Sequence, residues 1–129
     1  MHASYRGHLE VVKILLAVPG IDVNKADNDG NTPIMYASEN GRLGVVKILL
    51  AVPGIDANKA NNGGFTPIMR VSLNGYLEIV KILLAVPGID LAKRITSGHM
   101  NGRTVLGLAV ANNNRRGILL LLVAAGAPE

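Results

Sequence analysis

Three histidines and no cysteine make up this chain's stock of the side chains that most often ligate metals or act as nucleophiles near neutral pH. His2, His8 and His99 stand far apart in the repeat register described below and bring no Asp/Glu cluster with them, so no metal site is expected. The lack of Cys removes disulfides, thiolate metal sites and a Cys nucleophile. No Ser-His-Asp set, phosphate loop or Gly-rich dinucleotide turn is found. The expectation is a chain without catalytic residues, metal or cofactor. The charges are uneven. Residues 1–92 carry eight cations and eight anions, whereas Lys93, Arg94, Arg103, Arg115 and Arg116 face Glu129 alone. Such asymmetry suits either an anionic partner or a solvated face that aids solubility. No aromatic residues interleave with these cations as stacking platforms, which disfavours nucleic acid.

The elements that must carry these side chains are set by repetition. The segment VKILLAVPGID occurs at Val12–Asp22, Val46–Asp56 and Val80–Asp90, at a constant offset of 34 residues. A fixed period in this range marks stacked supersecondary units. Within each unit, Thr-Pro at 32–33 and 66–67 reads as a helix start, the Thr hydroxyl capping and the Pro giving up an N–H that had no partner. The first helix, predicted over 33–40, ends at Asn40-Gly41. A second, antiparallel helix follows over Leu43–Ala51, with counterparts at Leu9–Ala17 and Leu77–Ala85, each closed by Pro-Gly. An extended excursion then turns tightly around Asp27-Asn28-Asp29-Gly30.

The last unit departs from this pattern. Its excursion, Leu91–Asn101, has four extra residues relative to the earlier ones. Thr104 keeps the cap, but Val105 replaces Pro. The last helix, through Ile118–Val123, sets Leu119 or Leu120 where Lys13, Lys47 and Lys81 otherwise form a solubilising face. A terminal unit should present a polar outer face. This end is therefore expected to be covered by further chain or by another copy, a route to self-association through the C-terminal end. Met1–Arg6 aligns with the tail of a unit whose beginning is missing.

Helix, turn, helix and projecting loop, with Asp27, Gly30, Thr32-Pro33-Ile34, Ala37, Gly41, Val45-Val46, Leu49-Leu50, Ile55-Asp56 and Asn58 recurring around Gly64 and Gly102, resemble the ankyrin repeat. The resemblance covers essentially all of residues 1–129. It implies an all-α solenoid of stacked helix-turn-helix units with projecting β-hairpin loops: a partial first repeat at 1–25, a second at 26–59, a third at 60–93 and a divergent terminal one at 94–129. The family usually has His where Met1, Met35, Met69 and Gly107 stand here, which should leave more of the specificity to packing.

The resemblance further implies a non-catalytic protein–protein interaction scaffold, intracellular and cytoplasmic or nuclear, whose partner lies along loop tips and first-helix faces on the concave side. By the repeat register the partner-binding residues are Tyr5 and Arg6 in the partial unit; Asn28, Asp29, Asn31, Tyr36, Glu39 and Asn40 in the second; Asn62, Phe65, Arg70, Leu73 and Asn74 in the third; and Arg103 and Asn112 in the last. Between units two and three the second helix and its loop are nearly copied, whereas Asp29/Gly63, Asn31/Phe65, Tyr36/Arg70 and Glu39/Leu73 differ. Phe65 reads either as an aromatic anchor or as a side chain folded back on its own loop. Arg70 reads as a contact to an acidic partner or as a half-buried, snorkelling side chain. Asn24 and Asn58 are expected to bond local backbone. No stretch of about 18 apolar residues exists, so no membrane span is expected. The alternatives are an anionic partner, acidic protein or nucleic acid, bound by the basic terminal unit; a targeting part of a larger enzyme; and a designed repeat protein, given the verbatim copies.

Overall fold

A computed structural model describes residues 9–111 and 116–129. His2, Tyr5, Arg6, His8, Asn112 and Arg115 lie outside the described residues. The described chain forms seven helices: α1 (Leu9–Leu16), α2 (Pro33–Glu39), α3 (Leu43–Leu50), α4 (Pro67–Asn74), α5 (Leu77–Leu84), α6 (Val105–Ala111) and α7 (Arg116–Ala124). Each ends within a residue or two of its predicted end. None is longer than nine residues, too short to persist alone in water, so tertiary packing must hold them.

That packing is a two-layer stack. The first helices α2, α4 and α6 pack in sequence along one layer, and α1, α3, α5 and α7 along the other; α2 pairs with α3, α4 with α5 and α6 with α7. The repeat spacing explains it: Ile34, Ala37, Val46 and Leu49 are fully buried, and their counterparts Ile68, Val71, Val80 and Leu83 are buried at the same helical positions. Each unit thus spends its apolar face on its neighbours.

The starts of α2 and α4 follow the sequence signals. Thr32 and Thr66 accept from the N–H of Met35 and Met69 at 3.4 Å, with Pro in the first turn. Met69 completes the cap in an unusual way, its sulfur accepting from the Thr66 N–H at 3.5 Å. Both methionines are buried. Thr104 also caps, accepting from the Gly107 N–H, and donates its hydroxyl proton to the Pro128 carbonyl. The cap of the last unit thereby also anchors the C-terminal segment.

Among the described residues no strand forms. The projecting loops close through paired backbone bonds, Asp27 N–H to Asn31 O with Gly30 N–H to Asp27 O and Asn61 N–H to Phe65 O with Gly64 N–H to Asn61 O, and through side-chain turns. The Asp27 carboxylate accepts from the N–H groups of Asp29 and Asn31, and Asn61 Oδ1 does the same for Gly63 and Phe65. In the last unit Ile95 takes that place and is buried. Its loop is held by two backbone bonds, from Ile95 N–H to Arg103 O and from Gly102 N–H to Ile95 O. The four extra residues sit between them and widen the turn.

Candidate partner-binding surface

The loop tips are strapped to each other. The Asn62 N–H donates to the Asp29 carbonyl at 3.0 Å, and the Thr96 N–H donates to the Gly63 carbonyl at 2.9 Å. Asn62 Nδ2 reaches the Asn28 carbonyl at 2.9 Å, and Asn61 Nδ2 reaches Asn31 Oδ1 at 3.0 Å. This close approach needs glycine: a Cβ on Gly30 (φ +82) would meet Asn62 Oδ1 at 2.6 Å and its N at 2.7 Å. On the first helices, Asn74 Nδ2 donates to the Glu39 carbonyl at 2.8 Å. The structure therefore brings Asn28 and Asp29 to Asn62 at the tips, and Glu39 to Asn74 on the first helices, each across two units. Asn31 is tied to the tips through Asn61.

Behind the tips runs a second row. Asn24 donates to Gly54 O and accepts from Asp56 N–H, both at 2.8 Å. Asn58 repeats this with Gly88 O at 2.9 Å and Asp90 N–H at 2.7 Å. These partners are 30 and 32 residues away, which corrects the expectation of local bonding: each Asn clasps the next unit. Lys59 and Lys93 close the same junctions by donating to the carbonyls of Asn24 and Asn58. The period itself carried this signal, because Asn recurs at 24 and 58, the two copies that have a following Pro-Gly loop to clasp, and is Ala at 92.

Asn28, Asp29, Asn62, Asn74 and Arg103 are exposed, and Asn31, Tyr36, Glu39, Asn40, Phe65, Arg70 and Leu73 are half-buried. Several of the latter are committed inward. Phe65 packs against the core cluster, and the Arg70 guanidinium lies over its ring. Phe65 is thus folded back on its own loop rather than held out as an anchor. Asn40 caps its own helix by donating to Tyr36 O. The Tyr36 hydroxyl donates to the Asp27 carboxylate. That bond holds Asp27 below the usual carboxylate range, and it holds the Tyr36 phenol above its own. Asp27 belongs with the surface, though the sequence marked it only as a turn former.

The basic set is partly consumed. Lys93 serves the Asn58 clasp, while Arg94 donates to Gly102 O at 2.7 Å and Glu129 O at 2.9 Å. Arg103 and Arg116 are exposed. Among the described residues there is no His/Cys/Asp/Glu group that could hold a metal ion. No described helix is long and apolar enough to cross a membrane.

The family model described as ankyrin repeats (3 copies) matches residues 1–95 and 51–128. The chain is an ankyrin-repeat protein. No curated protein matches it at a significant level. Ankyrin repeats are in general protein–protein interaction modules, and the array shares their physical economy. Its apolar surface is used in stacking, and the loop tips form a tied platform of backbone and amide groups.

Proposed function

We propose that the array is a non-catalytic scaffold that binds another protein along its row of loop tips and first-helix faces. One observation carries the reading: interunit hydrogen bonds hold the loop tips and first-helix faces in one geometry, and four of the positions that differ between units two and three, 29/63, 31/65, 36/70 and 39/73, lie on them. Binding to a prearranged platform avoids the cost of ordering loops. The charges vary along it, from Asp27, Asp29 and Glu39 in the second unit to Arg70 and Arg103 further on. A partner with its basic side toward the second unit and its acidic side toward the last fits this order. An anionic partner held by the basic terminal unit alone is less well supported, because Lys93 and Arg94 already serve backbone carbonyls. A photo-crosslinking residue at position 62 should trap a partner in cells that the same residue at position 47, on an outer helix, does not. Capture from position 47 alone would overturn the reading.

A second reading is self-association through the C-terminal end. Leu120 occupies the register position of Lys81 and is 70% exposed, with Val123 beside it at 58%. Association that survives high salt is its expected signature.

A further inference from the structure

We propose that the two ends of the array are complementary and that copies of this chain join head to tail, the α7 end of one stacking on the α1 end of the next. The inference rests on the self-association reading and names the opposing surface.

The stacking direction is fixed by two close contacts. The space beside Gly44 is filled by the Leu9 side chain, at 3.4 Å from an added Cβ, and that beside Gly117 by Leu77, at 3.5 Å. Positions 10, 44, 78 and 117 in the register therefore face the preceding unit, and positions 9, 43, 77 and 116 face the following one. Helical spacing puts Val11 and Ile14 on the same stripe as position 10. Val45, Ile79 and Ile118, which correspond to Val11, are each 2% exposed, whereas Val11 is 45% exposed and Ile14 68%. Val18 and Ile21 extend the stripe and are also exposed. Apart from Glu10 in place of Gly44, this surface repeats the one that α3 buries against α1. What covers it in α3 is the next-facing side of an outer helix of this chain.

The α7 end offers such a side. Val123 corresponds to Leu50 and Leu84, which are partly buried and packed on the core. Arg116 corresponds to Leu77. In a copy-to-copy junction of the same register, Arg116 faces Glu10 of the following copy, so opposite charges meet where Leu9 meets Gly44 and Leu77 meets Gly117 inside the array. The tips agree. Gly30 and Gly64 are closely approached by the next tip, while Gly102, at the same φ, has nothing within 4 Å. The register assigns Asn28 N–H of the following copy to the Asn101 carbonyl beside it. A head-to-tail contact does not close on itself, so it grows into chains rather than stopping at a dimer.

Light scattering on the full chain tests this with two blocked variants, Ile14→Lys and Val123→Lys, both at exposed positions. Circular dichroism and urea midpoints check that each still folds. The wild type should increase in mass with concentration beyond twice 13.6 kDa. Each variant alone should stay at 13.6 kDa, and their equimolar mixture should form a 1:1 dimer. Glu10→Arg should weaken association roughly tenfold, and Arg116→Glu added to it should restore it. If Ile14→Lys still dimerises alone, the contact is tail to tail: self-association stands and the head-to-tail junction is overturned. A wild type that is monomeric at every concentration overturns both.

Discussion

The Arg70 guanidinium lies 4.2 Å from the centroid of the Phe65 ring, so the one phenylalanine of the chain is covered by a residue of its own unit. Arg70 Nε is buried with no hydrogen-bond partner among the described residues, which leaves the ring face as a compensation for its charge. A half-desolvated pair of this kind is worth about 1 kcal/mol. A double-mutant cycle with Phe65→Leu and Arg70→Met should return a coupling near that value in urea unfolding. Zero coupling would mean that the two merely share space.

The Asn58 clasp makes a stronger claim on stability. Asn58→Ala removes two hydrogen bonds and leaves Gly88 O and Asp90 N–H without that partner, at an expected cost of about 1–3 kcal/mol. Asn58→Asp keeps the acceptor for Asp90 N–H and loses the donor, so it should fall between wild type and Ala. Because the clasp spans two units, the Ala variant should also broaden the unfolding transition as coupling between units weakens. An unchanged midpoint for Asn58→Ala would sink the interunit role.

The helices and their order were legible because the same physical signals occur in several copies. Thr-Pro starts, glycine stops and the Val-Lys-Ile-Leu-Leu stripe recur from unit to unit. What was not legible is where polar side chains spend their hydrogen bonds. Asn24 and Asn58 look like turn residues in a single unit, and only stacking brings their partners within reach. Phe65 could not be assigned from sequence, since its cover, Arg70, stands five residues on and a helical turn inside α4. The α7 register was ambiguous by one residue because four consecutive leucines fit either frame. The burial of Ile118 and Leu122 fixes it and puts Leu120 outside.

The bond from Tyr36 to Asp27 sets a pH window. Asp27 is shifted down first by that bond, with the Asn31 and Asp29 N–H groups adding to it against desolvation. Its contribution is present above the unfolded carboxylate pKa, about 4, and is lost as pH falls through the lower folded value. Tyr36 is shifted up, chiefly by Asp27, so its contribution is full below the unfolded phenol pKa, about 10, and is lost as pH rises through the folded one. The stability difference between wild type and Tyr36→Phe should therefore be flat across neutral pH and shrink at both ends. Urea midpoints at several pH values check it. A difference that persists unchanged in acid would show that Asp27 is not the acceptor that matters.

Ser38 and Ser72 occupy equivalent positions, and both hydroxyls are buried without a hydrogen-bond partner among the described residues. A buried hydroxyl left unpaired costs about 1–3 kcal/mol relative to a satisfied one. The last unit has Val110 at this position, exposed at the end of the array, so the hydroxyl is not required by the repeat. Ser72→Ala should raise the urea midpoint by the equivalent of roughly 0.5–1 kcal/mol. A loss of stability would reveal an acceptor reached in solution.

Gly64 and Gly102 have nearly the same backbone, φ +85 and +86, in different surroundings. A Cβ on Gly64 would meet Thr96 N at 2.7 Å, Arg94 O at 2.9 Å and Ile95 Cα at 3.1 Å. All three are backbone, so no side chain can rotate away. Gly102→Ala meets nothing within 4 Å and bears only the left-handed conformation, about 1–2 kcal/mol. Gly64→Ala bears the same strain and must also separate two loop tips, breaking the bond from Thr96 N–H to Gly63 O. The difference between the two variants thus measures the strap between tips, with backbone strain subtracted. Gly64→Ala should be the less stable by a further 1–2 kcal/mol or so, and its amide exchange should rise at Thr96 and Ile95 while α2 and α3 stay protected. Equal losses for the two would mean that the tips stand independently, and the tied platform proposed as the binding surface would lose its physical basis.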